Sequence, residues 1–319
     1  MGKYLVKRIL LAIPTFLGIT IMIFFLANLA PGGPLDVLAS ESSMSEEAFE
    51  QLKIAMGLDK PIIVRYGIWL GNFVRGDLGT STRTYKPVAE IIGQRLGPSL
   101  VLTVTSLLFC LILSIPLGIM AASRPGSKWD TVSSGIAFMG TSLPTFFIAL
   151  ILVYVFAAKL GWLPATGMYD INGPRTLGSL ARHLIMPAFI LGFSMCGQFI
   201  KQTRGSLLEV FNEEYVKTAR AKGLREHVVI IKHVFRNGLI PIVTMISLTV
   251  PGLLGGAVIT ETIFSWPGVG SLMVQSINMR DYNTIMGVTA LVAAGVLIIN
   301  IIIDFVYARL DPRISVQSL

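Results

Sequence analysis

EYVKTARAKGLREHVVIIKHVFRN, running from Glu214 to Asn237, is the stretch on which the folding of the chain turns. Between Lys201 and Gly238 stand eight basic residues, Lys201, Arg204, Lys217, Arg220, Lys222, Arg225, Lys232 and Arg236, with four acidic ones. At about 2.5 to 3.5 kcal/mol for each charge at a bilayer centre, inserting these twelve would cost on the order of 30 kcal/mol. The segment therefore stays in water. Its surroundings have the opposite character: only 14% of the 319 residues are charged and 53% are hydrophobic, where soluble domains carry about 25% charged residues.

Six apolar runs are long enough to cross a hydrocarbon core, which takes roughly 20 residues. They extend over Ile9 to Ala30, Ser99 to Ala122, Thr131 to Ala158, Leu184 to Ile200, Leu239 to Ile263 and Ile285 to Tyr307. The first is read as a retained anchor rather than a signal peptide, being longer than an h-region of about 7 to 15 residues and lacking a small-x-small cleavage site. This predicts an all-α polytopic membrane protein with six transmembrane helices. With both termini on the cytoplasmic side, the short inner segments hold fifteen lysines and arginines and the short outer loops four, the asymmetry that sets orientation. The basic excess is spread over loops between spans, so it is read as contact with membrane lipid and not nucleic acid.

The expected domains are an N-terminal transmembrane helix over 1–30, an extracytoplasmic helical insert over 31–98 and a five-helix core over 99–319, with the loop 201–238 inside. In the insert, Ser43 and Glu46 form a capping-box pattern ahead of a helix carrying Phe49, Leu52 and Met56 and stopped by Gly57. A second helix starts at Pro61 and puts Ile62, Tyr66, Trp69, Leu70 and Phe73 on one stripe before Gly76. A third, short helix is expected after Pro87. The stripes suit packing on span ends and headgroups more than docking of a soluble partner.

The spans are more than anchors. Pro116, Pro144, Pro187, Pro241 and Pro251 are expected to interrupt helical runs, and broken helices survive in a membrane only where neighbours or water satisfy the freed backbone. Gly252, Gly256 and Thr260 repeat every four residues, a spacing that lets helices approach closely. Ser142 and Thr141 beside Pro144, Ser194 and Gln198, and Thr244, Ser247 and Thr249 suit a weakly polar path. Its candidate pathway or gate residues are Ser142, Pro144, Ser194, Gln198, Ser247, Gly252, Gly256 and Glu261. Glu261 and Asp304 lie near span ends, where an ionisable residue is a functional hypothesis.

Enzyme chemistry finds no support. No H-E-x-x-H, G-x-S-x-G or G-x-x-x-x-G-K-[ST] occurs, so no catalytic or metal residues are assigned. His183, His227 and His233 are read as solvated or headgroup-level residues, and Cys110 and Cys196, inside apolar runs, as packing residues.

The island itself divides into two helices. The fourth span is expected to run on through GSLLEVF. NEEYVKTARAK then makes a short helix closed by Gly223, and EHVVIIKHVFRN places Val228, Ile231 and Phe235 on one side. Ala219 and Ala221, bracketed by Lys217, Arg220 and Lys222, suit a backbone that enters a groove while cations meet an acidic rim.

YVKTARAKGL followed by HVFRNGLIP resembles the cytoplasmic EAA loop of ABC-importer permeases of the peptide and nickel type. Further matching stretches are YLVKRILLAIPTFLGIT with LAPGGP, GDLGTS at Gly76–Ser81, ETIFSWPGVG at Glu261–Gly270, RDY at Arg280–Tyr282 and the closing YARLDPRI. The likeness is to the first of two permease subunits, and it implies the type I ABC-importer permease fold in the cytoplasmic (inner) membrane of a prokaryote, multi-pass. By position the E-A-A triplet falls on Lys217, Thr218 and Ala219 and the family glycine on Gly223, so the eponymous glutamate is missing. The implied ATPase-coupling residues are Tyr215, Lys217, Thr218, Ala219, Arg220, Ala221, Lys222, Gly223 and Leu224. The implied partners are a second homologous permease, two ABC ATPases that bind ATP and Mg, and an extracytoplasmic binding protein; this chain itself would hold no cofactor. The implied cargo is an oligopeptide or dipeptide, with nickel chelates or glutathione as alternatives. A stand-alone gradient-driven carrier would want a midplane acid or an inverted repeat, and neither is visible. A membrane enzyme lacks a catalytic constellation, and a scaffold leaves the prolines and hydroxyls unexplained.

Overall fold

The computed structural model describes residues 2–29, 46–55, 57–254 and 257–310. Ser43, Met56, Gly256 and the end of YARLDPRI lie outside them, as do the side chains of Phe49, Leu52, Asp304 and Arg309. The described residues are helical, without a strand beyond an isolated bridge between Thr80 and Pro87. Among the described residues five helices are long and apolar enough to cross a membrane, and a sixth span results when one bent pair is counted as a single crossing. The chain divides into two compact units, residues 1–97 with 268–319, and residues 98–267.

The first unit holds α1 (Gly2–Leu29), α2 (Glu46–Ala55), α3 (Ile62–Val74), α12 (Val269–Asn278) and α13 (Tyr282–Leu310), together with the first turns of α4 (Val88–Ser123). The stripe expected on α3 packs along α1: the Phe73 and Phe16 ring centres lie 5.5 Å apart, those of Trp69 and Tyr66 5.9 and 5.5 Å from Phe24, in tilted or edge-on contact, and Arg65 reaches Asn28. Numbers fall on one helix as they rise on the other, so α3 lies antiparallel to α1. Gly57 and Gly76, at φ +66° and +84°, end α2 and α3 in the left-handed region that favours glycine. No separate short helix follows Pro87. The turn Val88–Ile92 instead opens α4, because Val88 and Ile92 are wholly buried against Leu78, Val269, Leu272 and Val288 and the helix continues without a break.

The second unit holds the remainder of α4, then α5 (Lys128–Ser142), α6 (Thr145–Leu152) running on as a π-helix over Val153–Lys159, α7 (Leu177–Phe211), α8 (Glu214–Ala221), α9 (Glu226–Val228), a π-helix over Val229–Phe235, α10 (Arg236–Leu254) and α11 (Val258–Ile263). Of the five prolines expected to interrupt helices, one breaks its helix. Leu143–Pro144 separates α5 from α6 with a bend of 99°, whereas Pro116, Pro187, Pro241 and Pro251 sit inside continuous helices. A proline deletes one N–H and crowds the preceding turn, which packed neighbours absorb. At Pro144 the preceding residue, Leu143, is extended (ψ 131°), the conformation that a following proline favours.

The packing centre is α7. A Cβ on Gly192 would stand 2.5 Å from the Ser106 carbonyl oxygen, Cys196 Sγ lies 3.6 Å from the Cys110 oxygen, and a Cβ on Gly118 would stand 2.5 Å from Thr203 Cβ. These numbers rise together, so α4 and α7 run parallel. Against α5 the order reverses: a Cβ on Gly140 would lie 2.7 Å from the Phe193 oxygen, and one on Gly197 would collide with the Ala137 carbonyl. Such contact at backbone distance is how membrane helices gain dispersion energy where no hydrophobic force drives them together. Both cysteines are buried in this interface, as expected for packing residues. Of the small-residue repeat, Gly252 has open space around it within this chain, Thr260 of α11 is buried, and Gly256 lies outside the described residues.

Replacing Gly197 by valine should destabilise the protein by about 1 to 3 kcal/mol through overpacking. Gly205→Ala, on the same helix with nothing within 4 Å of the added carbon, should be neutral or stabilising by up to about 1 kcal/mol. Thermal unfolding of the two variants in detergent checks this contrast.

Candidate functional site

The basic island is a seated helix. α7 ends at Asn212, Glu213 is extended, and α8 starts at Glu214. Its acidic first turn and Arg220 in its last turn match the helix dipole. The C-terminus closes in a Schellman arrangement: Gly223 N donates to the Arg220 carbonyl at 2.9 Å and Leu224 N to the Ala219 carbonyl at 3.4 Å, with Gly223 at φ +74°. The glycine stop expected from the sequence is where it was placed.

The face of α8 that looks inward is Val216 and Ala219. Both are buried with Ala122 and Ile119 at the end of α4, Leu207 and Phe211 at the end of α7, and Val229 and Val234 of the following π-helix. Burying a valine side chain contributes roughly 1.5 to 3 kcal/mol. The face expected on the second helix, Val228, Ile231 and Phe235, is not the buried one. Ile231 is 63% exposed and Val229 and Val234 are fully buried, because the π-helical turn brings residues five apart onto one side. A Cβ on Gly238 would meet Leu207 Cδ2 at 2.5 Å, so this glycine lets the head of α10 close onto α7.

Charged side chains then fix the assembly. Arg220 grips Glu226 with two bonds, Nη2 to Oε1 at 2.6 Å and Nε to Oε2 at 3.2 Å, and its guanidinium lies 5.5 Å from the Phe211 ring centre. Lys217 Nζ pairs with Glu214 at 2.7 Å. Arg204 holds Asp130 in a second bidentate pair, at 2.7 and 2.9 Å, and the same carboxylate accepts from Gly126 N, which ties the α4–α5 turn to α7.

The nine residues that the resemblance implies for ATPase coupling separate into two groups. Ala219 faces inward and packs. Tyr215, Lys217, Thr218, Arg220, Ala221, Lys222, Gly223 and Leu224 are exposed on one outer surface. Arg220 is held by Glu226 within the chain, whereas sequence reasoning assigned it to an acidic partner rim. Glu226, Phe211, Val216 and the Asp130–Arg204 pair were missed. The spacing of Val216 and Ala219, three apart between charges, was the available signal.

The pathway candidates are more scattered. Ser142 and Pro144 are exposed at the α5–α6 bend, and Gln198 is exposed one turn beyond the half-buried Ser194, whose Oγ bonds the Leu191 carbonyl. Ser247 is buried and bonds back to Val243, and Gly252 is exposed. Glu261 is buried at the head of ETIFSWPGVG and accepts from Ser99 Oγ at 2.7 Å, while Trp266 Nε1 donates to the Pro98 carbonyl at 2.9 Å. That motif therefore anchors to α4, and the carboxylate lies in packed protein. His183 is buried as well, with Nδ1 2.9 Å from the Ser179 carbonyl, in contrast to the solvated position expected. Its place on α7, one turn before Pro187, turns it inward.

In the first unit, Asp281 of RDY is buried and gathers Ser81 Oγ at 2.5 Å and Thr284 Oγ1 at 2.7 Å, and Asn283 Nδ2 donates to the Thr80 carbonyl at 2.8 Å. GDLGTS and RDY form one knot. Among the described residues no cluster of three or more His, Cys, Asp or Glu could hold a metal.

Comparison with known proteins places the chain. The family described as "Binding-protein-dependent transport system inner membrane component" matches residues 114–316, and its N-terminal companion, "Binding-prot-dependent transport system membrane comp, N-term", matches residues 1–105. The oligopeptide transport system permease protein AppB of Bacillus subtilis is 41% identical over 99% of this chain and 100% of its own length. The dipeptide transport system permease protein DppB of Escherichia coli K12 is 36% identical over 98% and 99%, as is the glutathione transport system permease protein GsiC of an E. coli O6:H1 strain. Among solved structures, inward-facing MetNI methionine ABC transporter aligns with a TM-score of 0.56 and 16% identity over 69% of this chain and 96% of that one, a likeness of fold.

Val216→Ala should weaken the seat of α8 by about 1 to 3 kcal/mol and speed hydrogen exchange at the amides of residues 217–222. Thr218→Ala, at an exposed position, should leave that exchange unchanged.

Proposed function

We propose that this chain, which belongs to the family of binding-protein-dependent transport system inner membrane components, is one of two permease subunits of an ABC importer that carries oligopeptides or dipeptides. It is a transport subunit, and ATP with its Mg would be bound and hydrolysed by two partner ATPases. A second permease would complete the pathway, and an extracytoplasmic binding protein would deliver the cargo. The proposed site is the cytoplasmic membrane of a prokaryote, with both termini and the island on the cytoplasmic side, the insert 31–98 outside and the core over 99–319.

The observation that carries the mechanism is the two-sided character of α8. Val216 and Ala219 seat it on the ends of α4 and α7, while Tyr215, Lys217, Thr218, Ala221 and Lys222 are turned away from the chain. A body that grips the outer face moves the inner face with it, and α4 and α7 follow because their glycines and carbonyls are in backbone contact. Closure of the ATPases would in this way displace the spans that line the path, with Ser142, Pro144, Ser194, Gln198, Ser247, Gly252, Gly256 and Glu261 as its proposed pathway or gate residues. The Arg220–Glu226 pair and the Gly223 stop set the angle at which the outer face is presented.

Peptide cargo is supported by the named activities of the relatives at 36% to 41% identity over nearly the whole chain. Mass spectrometry of what the copurified binding protein holds tests it: peptides are expected, and a nickel chelate or a sugar would assign another cargo. Lys222→Glu reverses a charge that costs several kcal/mol if it faces an acidic rim. It should lower uptake by the reconstituted complex at least about tenfold while the chain still inserts. Unchanged uptake and unchanged substrate-stimulated ATP hydrolysis would contradict the coupling role.

A further inference from the structure

Within the first unit, where α1 leaves its span at Asn28, a cavity of about 490 Å³ opens beside α3 and the start of α13. Its walls include Phe24 and Trp69, and its charged residues are Lys60, Arg65 and Asp77. Asp77 Oδ1 accepts from Gly79 N at 2.8 Å and so belongs to the turn that follows α3. Arg65 is half-buried, and Nη2 donates to the neutral amide oxygen of Asn28 at 2.5 Å. Burial pushes this guanidinium below its ordinary pKa. Of the five N–H donors that arginine carries, the bond to Asn28 uses one. A desolvated cation beside an open cavity calls for an anion, and the planar guanidinium suits phosphate oxygens.

Depth decides which anion. α1 is long and apolar enough to cross a membrane over Val6–Leu29, which puts Asn28 and Arg65 at the level where hydrocarbon gives way to headgroups. The stack of Phe24, Tyr66 and Trp69 just below them is placed as the aromatic belt of a membrane interface. Ile54 and Ile68, both in the wall of the cavity, are exposed apolar side chains, and they offer acyl chains a surface at its mouth. We infer that this cavity binds the phosphate of an anionic phospholipid, with Arg65 and Lys60 on the headgroup and Ile54 and Ile68 beside its tails. A bound lipid would fasten α3 to α1 from the membrane side, independently of the cargo that the protein moves.

The test uses the purified complex, supplied with equal amounts of phosphatidylglycerol and phosphatidylcholine in mixed micelles and examined by native mass spectrometry. The unmutated chain should retain phosphatidylglycerol in preference. Arg65→Gln should lower that retention roughly tenfold, Arg65→Lys less, and Ala27→Trp, which fills the cavity with both cations in place, should lower it as much as Arg65→Gln. Equal retention of the two lipids by the unmutated chain would overturn the inference whether or not a variant assembles. Retention unchanged in both Arg65→Gln and Ala27→Trp would overturn it as well. Displacement by inorganic phosphate would reassign the site to free phosphate, and displacement by a dipeptide would reassign it to the cargo; either outcome sinks the lipid assignment.

Discussion

The structure of the second unit depends on backbone contact along α7. Lipid tails are as apolar as leucine, so helices in a bilayer gain little from hiding side chains and must instead fit closely. Gly192 and Gly197 supply that fit on α7, and Gly118 and Gly140 supply it from α4 and α5. Three helices are thereby held at distances that no Cβ would allow. α7 then continues beyond the apolar run to Phe211, and its last turns form the seat for α8.

An eight-residue helix has no stability of its own in water, where isolated helices shorter than about 12 to 15 residues are marginal. α8 exists because Val216 and Ala219 are buried and because Gly223 ends it cleanly. Its polar contacts add direction more than energy, since an exposed pair such as Arg220–Glu226 contributes at most about 1 kcal/mol. The inner face therefore holds the helix and the outer face stays exposed. The seat uses small and apolar residues three apart, Val216 and Ala219, and needs no charge on that face.

Much of this was legible in the residues. Composition located the apolar runs, four of which fall within single helices, whereas the run 131–158 bends by 99° and the run 239–263 divides between α10 and α11; the charge island, its helix and the Gly223 stop followed from insertion energy and turn chemistry. The stripe Tyr66, Trp69, Phe73 identified the face by which α3 packs on α1. Periodicity failed where the helix changed type. Val229 and Val234 share a side under π-helical winding, which a 3.6-residue period assigns instead to Val228, Ile231 and Phe235. The glycines of α7 read as part of an apolar run, because what they touch is carbonyl oxygen from helices distant in sequence. Prolines also overstated the breaks, as the sequence does not reveal which bends neighbouring helices absorb. Arg220 looked available to a partner because its true acceptor, Glu226, lies across a turn whose geometry depends on Gly223. The scattered pathway candidates share no such packing logic, and their hydroxyls mostly bond their own helix one turn back.

We propose that an ATPase grips the outer face of α8 while the inner face holds the spans. Site-specific photocrosslinking in native membranes addresses both halves, with the photoreactive residue placed at Lys222 in one strain and at Val216 in another. An adduct between this chain and the ATPase subunit is expected from position 222, and none from position 216. Crosslinks from position 222 that reach only lipid or the binding protein, or ATPase adducts from position 216, would contradict it.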